Sequence, residues 1–159
     1  MPTIIAAERI RELLLDFFAG VPGAGFLDRA RAAGRICLTD HTYSPVSRAE
    51  IRRVATENPL PAASPPDELN DCDDFALHIK ASLMARRRGG TRPRAPRAPP
   101  AVGMVIAERH AVNLFVSAVS GGLRVSLFDA GRPGLPVAAT PEDAGELLLE
   151  PPVIRWIYL

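Results

Sequence analysis

Apolar residues recur at helical spacing from the start of the chain. Ile5, Ile10, Leu13, Leu14, Phe17 and Phe18 form one stripe and Gly20 ends it, which predicts a helix over 3–19. "FLDRARAA", residues 26–33, predicts a second short helix closed by Gly34. "RICLTDHTYSP" reads as extended. Ser47 and Glu50 have the spacing of a capping box, in which each side chain satisfies a free amide of the first turn, so a helix over 48–57 is expected. The proline-rich "NPLPAASPPDELN" is a connection. A helix then runs from near Asp71 to about Arg88, with Phe75, Ala76, Ile79 and Leu83 as its apolar stripe. Its last turn, Arg86 to Arg88, lies where the helix dipole favours cations.

The pattern changes after residue 100. "AVGMVIAERHAVNLFVSAV" and "LRVSLFDA" are rich in β-branched and aromatic residues, and "SGG" between them is a turn signal. "TPEDAGELLL" reads as a short helix with Pro141 in its first position, and "PVIRWIYL" as a final strand. Helices first and antiparallel strands later predict an α+β fold in one domain spanning 1–159. Residues 89–100, "GGTRPRAPRAPP", are too rich in glycine, proline and arginine for core and read as a flexible loop.

Composition narrows the classes. The chain of 159 residues is 47% hydrophobic and 23% charged, an ordinary globular balance. A net charge of +1 gives no global attraction for polyanions. The N-terminus carries Glu8, Arg9, Arg11 and Glu12 where a signal peptide would be apolar, and no apolar run approaches the ~20 residues of a membrane span. A soluble protein of the cytoplasm or a virion, with two free thiols, is expected. Two cysteines make no disulfide scaffold, and no C-x-x-C pair offers zinc a site.

The candidate chemistry sits in "NDCDDFALHIK", residues 70–80. A lone cysteine is usually a small buried hydrophobe, and Cys37 in "RICLT" has that character. Cys72 differs because its neighbours are polar and it opens a helix, where the dipole and free amides favour a thiolate and can hold an oxyanion. A cysteine nucleophile needs a base. His78 is six residues along the same helix, about 240° around it, and is poorly placed. His41 is in a loop-like segment. His110, at the head of "HAVNLFVSAV", has the edge position a base requires, although a structural histidine would look the same.

Alternation supplies an orienting acid. In "LRVSLFDA" Asp129 shares a face with Leu123, Val125 and Leu127, where an unpaired carboxylate is costly. A hairpin turning through Ala118 to Gly121 sets Asp129 directly opposite His110; a tighter turn at Gly121–Gly122 slips the pairing. Alternatively, Asp129 ends the strand and caps the "DAGRPG" turn. Asp71, Asp73 and Asp74 have two readings as well. They complement a helix start, or they are hard-cation ligands, in which case a bound Ca²⁺ would offset the negative field around the thiol.

The order of cysteine on a helix start, histidine on a strand and acid on the next strand resembles papain-like and transglutaminase-like enzymes. "DHTYSPVSRAEIRRV", "NDCDDFALHIKASL" and "AVGMVIAERHAVNLFV" together resemble the papain-like C-terminal domain of the agglutinin from the mushroom Marasmius oreades, and its bacterial and phage relatives. The likeness spans roughly 38–132, and its most specific parts are Cys72 to Ala76 and His110-Ala-x-Asn113. It implies a calcium-activated cysteine peptidase or amidase acting on a protein or peptide, with Cys72 as nucleophile, His110 as base and Asp129 as orienting acid. The backbone N–H of Cys72, with Asn70 as a second donor, would hold the oxyanion.

Two departures stand out. The family's acid is typically a glutamate followed by proline, whereas this chain has Asp129-Ala130, so a shorter side chain must approach the histidine more closely. The agglutinin's sugar-binding repeats have no counterpart, so no glycan function carries over. Asn113 belongs to the motif without an evident role, since alternation turns it away from His110. Two other classes remain: an inactive phage or phage-like accessory protein that keeps the fold, and sequence-blind nucleic-acid contact through "RRRGGTRPRAPR", with six arginines in twelve residues. The second is disfavoured because acids balance the charge and no aromatics interleave.

Overall fold

The structure, a computed structural model, describes residues 4–24, 29–57, 72–88, 98–108, 110–130, 132, 134, 136–148 and 153–159. The fold is mixed α and β. In chain order the elements are β1 (Ile5–Ala6), α1 (Ala7–Ala19), α2 (Arg29–Ala33), β2 (Ile36–Cys37), β3 (Thr42–Tyr43), α3 (Arg48–Glu57) and α4 (Cys72–Arg88). There follow β4 (Val102–Ala107), β5 (Ala111–Val119), β6 (Gly122–Phe128), β7 (Val137–Ala138), α5 (Pro141–Leu147) and β8 (Ile154–Tyr158).

Six strands form one sheet in the order β2-β8-β4-β5-β6-β7. All neighbours are antiparallel except β2 and β8, which run parallel, a pairing that the expectation of antiparallel strands did not include. β8 comes last in sequence but lies between β2 and β4. The approach is close: a Cβ on Gly103 would lie 1.8 Å from the Tyr158 carbonyl oxygen, so only glycine fits there.

Alternation along the strands gives the sheet two apolar faces. One buries Val112, Leu114 and Val116 of β5 and Val125 and Leu127 of β6 in a cluster with Ile10, Leu14 and Phe18 of α1 and Leu147 and Leu148 at α5. The other buries Phe115, Phe128 and Val102 against Ile51 and Val54 of α3 and Ile79 and Leu83 of α4. The helices that precede Cys72 therefore divide between the two faces. α1 covers one face, and α3 accompanies α4 on the other.

α4 appears where its apolar periodicity puts it, and α3 where the capping box does. The Ser47 hydroxyl accepts from the Glu50 amide at 3.1 Å, and the Glu50 carboxylate takes a hydrogen bond from the Ser47 backbone, the reciprocal pairing of a capping box. The start of α1 differs. Ile5 and Ala6 pair antiparallel with Tyr43 and Thr42, so the helix begins at Ala7 rather than residue 3. Two residues are too few to show a strand period, and the preceding helical stripe absorbs them. The stretches 58–71 and 89–97, which include the proline-rich connection and most of the arginine-rich loop, lie outside the described residues.

Arg87 joins three segments. Its Nε and Nη2 grip the Glu50 carboxylate at 2.7 and 2.9 Å, Nη1 reaches the Ser44 hydroxyl at 2.5 Å, and Nη2 also donates to the Pro45 carbonyl at 3.0 Å. Arg86 pairs with Glu57. These arginines bind α4 to α3, where the sequence suggested only favourable placement in the helix dipole. Burial acts to raise the Glu50 pKa, but the hydrogen bonds and charge of Arg87 outweigh it and the value is lowered from the ordinary 4.5. A depressed folded-state pKa stabilises the fold above the unfolded value and loses that contribution as pH falls through the folded value. Glu50→Gln should therefore cost about 1–3 kcal/mol at neutral pH. Urea denaturation should show its deficit against wild type shrinking progressively below pH 4.5.

Candidate active site

Cys72 is the first residue of α4, half-buried, in the turn whose N–H groups lack helical partners. The Ala111 N–H, at the start of β5, donates to its sulfur at 3.1 Å. His110 immediately precedes Ala111, so the chain brings the imidazole to the head of the strand that touches the thiol.

His110 Nε2 lies 2.7 Å from Asp129 Oδ2. The same oxygen lies 3.0 Å from Arg132 Nε. Asp129 follows β6 and is 2% exposed, so it is buried among apolar neighbours, as alternation suggested, and partnered. The register differs from the one proposed. β5 and β6 turn through Ser120 and Gly121, Val119 pairs with Gly122, and Asn113 faces Phe128. Gly121 sits at φ +97°, which permits so short a turn. Continuing the ladder puts Asp129 level with Val112, two places from the position opposite His110. The histidine and the acid meet diagonally, within reach of their side chains. With Nε2 committed to the carboxylate, Nδ1 is the ring nitrogen not engaged by Asp129.

The other candidates separate clearly. Asp73 and Asp74 are exposed in the first turn of α4. Asn70 and Asp71 lie outside the described residues. Among the described residues no group of three or more His, Cys, Asp or Glu is arranged to hold a metal. Ca²⁺ takes six to eight oxygens, and two adjacent helical aspartates do not supply them. The described residues therefore do not build a calcium site by themselves. His41 is exposed, and His78 is half-buried with its Nε2 shut away from solvent and without a partner. Cys37 is exposed rather than buried: in β2 Ile36 takes the inward position and the next residue points out.

One residue of the motif acquires a place. Asn113 is fully buried. Its Nδ2 donates to the Ala76 carbonyl of α4 at 2.7 Å and to the Gly103 carbonyl of β4 at 3.2 Å, while Oδ1 has no partner. Both contacts are to carbonyls, which fixes the amide orientation. The clue in the sequence was a lone amide inside the apolar run "AVNLFV".

Comparison with solved structures finds a similar fold within two longer chains. The chain is similar to PSL1a in its complex with E64, with a TM-score of 0.68 and 18% identity. It is also similar to Polyporus squamosus lectin bound to the human-type influenza-binding epitope Neu5Acα2-6Galβ1-4GlcNAc, with a TM-score of 0.66 and 19% identity. Each alignment covers 98% of this chain but 51% and 49% of the lectin chains, so the chain spans about half of their length. No protein-family model matches the chain, and no curated protein matches it. At these identities the likeness is one of fold.

The geometry around His110 makes a spectroscopic prediction. Asp129 should hold the neutral ring as the Nε2–H tautomer. In ¹⁵N spectra of the imidazole, Asp129→Asn should redistribute the proton between the two nitrogens, whereas wild type should show one tautomer.

Proposed function

We propose that this chain is a thiol hydrolase of papain-like type, cleaving an amide or ester in a protein or peptide. The observation that carries the reading is the His110–Asp129 pair at 2.7 Å, at the head of the strand whose first N–H meets the Cys72 sulfur. A buried carboxylate bonded to a histidine next to a helix-start cysteine is the donor set that nucleophilic catalysis needs. The likeness of fold to a lectin described as a complex with E64 supports it further.

In the proposed reaction the Cys72 sulfur attacks the carbonyl carbon and its proton passes to His110 Nδ1. Asp129 holds the ring through Nε2 and stabilises the imidazolium. The oxyanion meets the backbone N–H of Cys72 at the start of α4, with Asn70 as the second donor. Collapse breaks the C–N or C–O bond, and His110 returns the proton to the leaving group. Water, deprotonated by His110, then hydrolyses the thioester and restores the thiol. Asp129 in place of glutamate is compatible with this sequence because its carboxylate already reaches the ring.

The exposed thiol of Cys37 is an internal reference. Iodoacetamide, or the thiol-alkylating epoxide E64, should modify Cys72 faster than Cys37 at neutral pH. Cleavage of casein or of the chain itself should vanish in Cys72→Ala and fall by about a thousandfold or more in His110→Ala. Equal labelling of the two thiols, together with no cleavage, would favour an inactive protein that keeps the fold. Calcium dependence is a separate proposal, with Asp71, Asp73 and Asp74 as ligands. Cys72 labelling should be faster in Ca²⁺ than in EGTA, and equal rates would remove it.

A second reading, carbohydrate binding, draws on the lectin neighbours and on Trp156, which is 47% exposed on β8 beside Tyr158 with ring centroids 6.3 Å apart. An exposed indole can stack on a sugar face. Titration with Neu5Acα2-6Galβ1-4GlcNAc should quench tryptophan fluorescence if that reading holds, since Trp156 is the only tryptophan.

A further inference from the structure

We propose that Asn113 is a positioning residue that sets the height of α4 on β5 and so places the Cys72 sulfur beside His110. The inference rests on the thiol-hydrolase reading of the site and assigns a function to a residue that makes no contact with the reacting atoms.

Hydrogen bonds join the start of α4 to β5. The Ala111 N–H meets Cys72 Sγ, and Asn113 Nδ2 meets the Ala76 carbonyl. Ala111 and Asn113 are two residues apart and share a face of the strand. Cys72 and Ala76 are four residues apart and share a face of the helix. Two strand residues advance about 6.8 Å and four helical residues about 6 Å, so both contacts form together in one register of helix against strand. A sliding of α4 breaks both. The Ala76 side chain is 1% exposed and small, which lets the helix approach closely enough for the amide to reach its backbone. Through the Gly103 carbonyl the same amide also holds β4, so three elements meet at one nitrogen.

The unpartnered Oδ1 distinguishes this role from ordinary core packing. Leucine has the same branching and number of side-chain heavy atoms as asparagine and would bury no unsatisfied oxygen. An amide here is therefore not what stability alone favours. What it supplies, and leucine does not, is a donor fixed to the helix one turn beyond the nucleophile.

The test compares Cys72 with Cys37 in the same molecule by mass-resolved iodoacetamide labelling across pH, in wild type, Asn113→Leu and Asn113→Ser. The charged and titratable groups near this end of α4 include His110, paired with Asp129, Arg132 on the same carboxylate, and Asp73 and Asp74 on the helix itself. In Asn113→Leu the ratio of Cys72 to Cys37 rates should fall by about tenfold or more. The midpoint of the Cys72 profile should move towards that of Cys37, with thermal stability held or raised. Asn113→Ser keeps a donor with a shorter reach and should lie between. Folded variants with the wild-type ratio and midpoint would overturn the proposal. Failure of both variants to fold would overturn it too, by assigning Asn113 to stability. If wild type labels its two thiols alike, the hydrolase reading fails first, and that outcome is separate from the others.

Discussion

A carboxylate sealed from water must be paired, and Asp129 is such a carboxylate. It lies just past β6, on the strand face that alternation gives to the core. His110 and Arg132 converge on one of its oxygens. The need to satisfy this group ties the end of β6 to the head of β5. That tie holds the imidazole at the edge of the sheet, where the first N–H of β5 meets the thiol of α4. Without Asp129, His110 would be an ordinary side chain at a strand terminus.

Long elements could be read from the sequence because their periods repeat. Ile79 and Leu83 announced the buried side of α4, and Leu123, Val125 and Leu127 announced one face of β6. Asp129 was foreseen for the same reason, as a charge in an apolar row. The hairpin register was not, because it depends on where glycine takes a positive φ. A turn through Ala118 to Gly121 competed with one at Gly121–Gly122, and the structure takes neither but turns at Ser120–Gly121. β1 escaped notice because two residues carry no period. Cys37 was misassigned because an apolar neighbourhood does not say which side of a two-residue strand faces inward.

Features that depend on tertiary contact were the least visible. Arg87 looked like one of three cations near a helix C-terminus. Its bidentate grip on Glu50 depends on α3 crossing α4, which no local pattern encodes. Asn113 was noticed as part of a motif, but its partners, the carbonyls of Ala76 and Gly103, lie on two other elements. Conversely, Asp73 and Asp74 had a plausible cation role in the sequence. In the fold they are two exposed acids on one helical turn, and any complete cation site must draw on further residues.

The position of β8 has a consequence for how the molecule assembles. The strand is synthesised after every other described element, yet it lies inside the sheet, between the edge strand β2 and β4. While the chain is still emerging from the ribosome, β4 has an open flank and the Gly103 carbonyl has no settled neighbour on that side. The order of residues thus works as a timer. Helix, histidine and acid all precede β8 in the chain, so the sheet that carries them gains its β2–β8–β4 pairing only after residue 158 has been added.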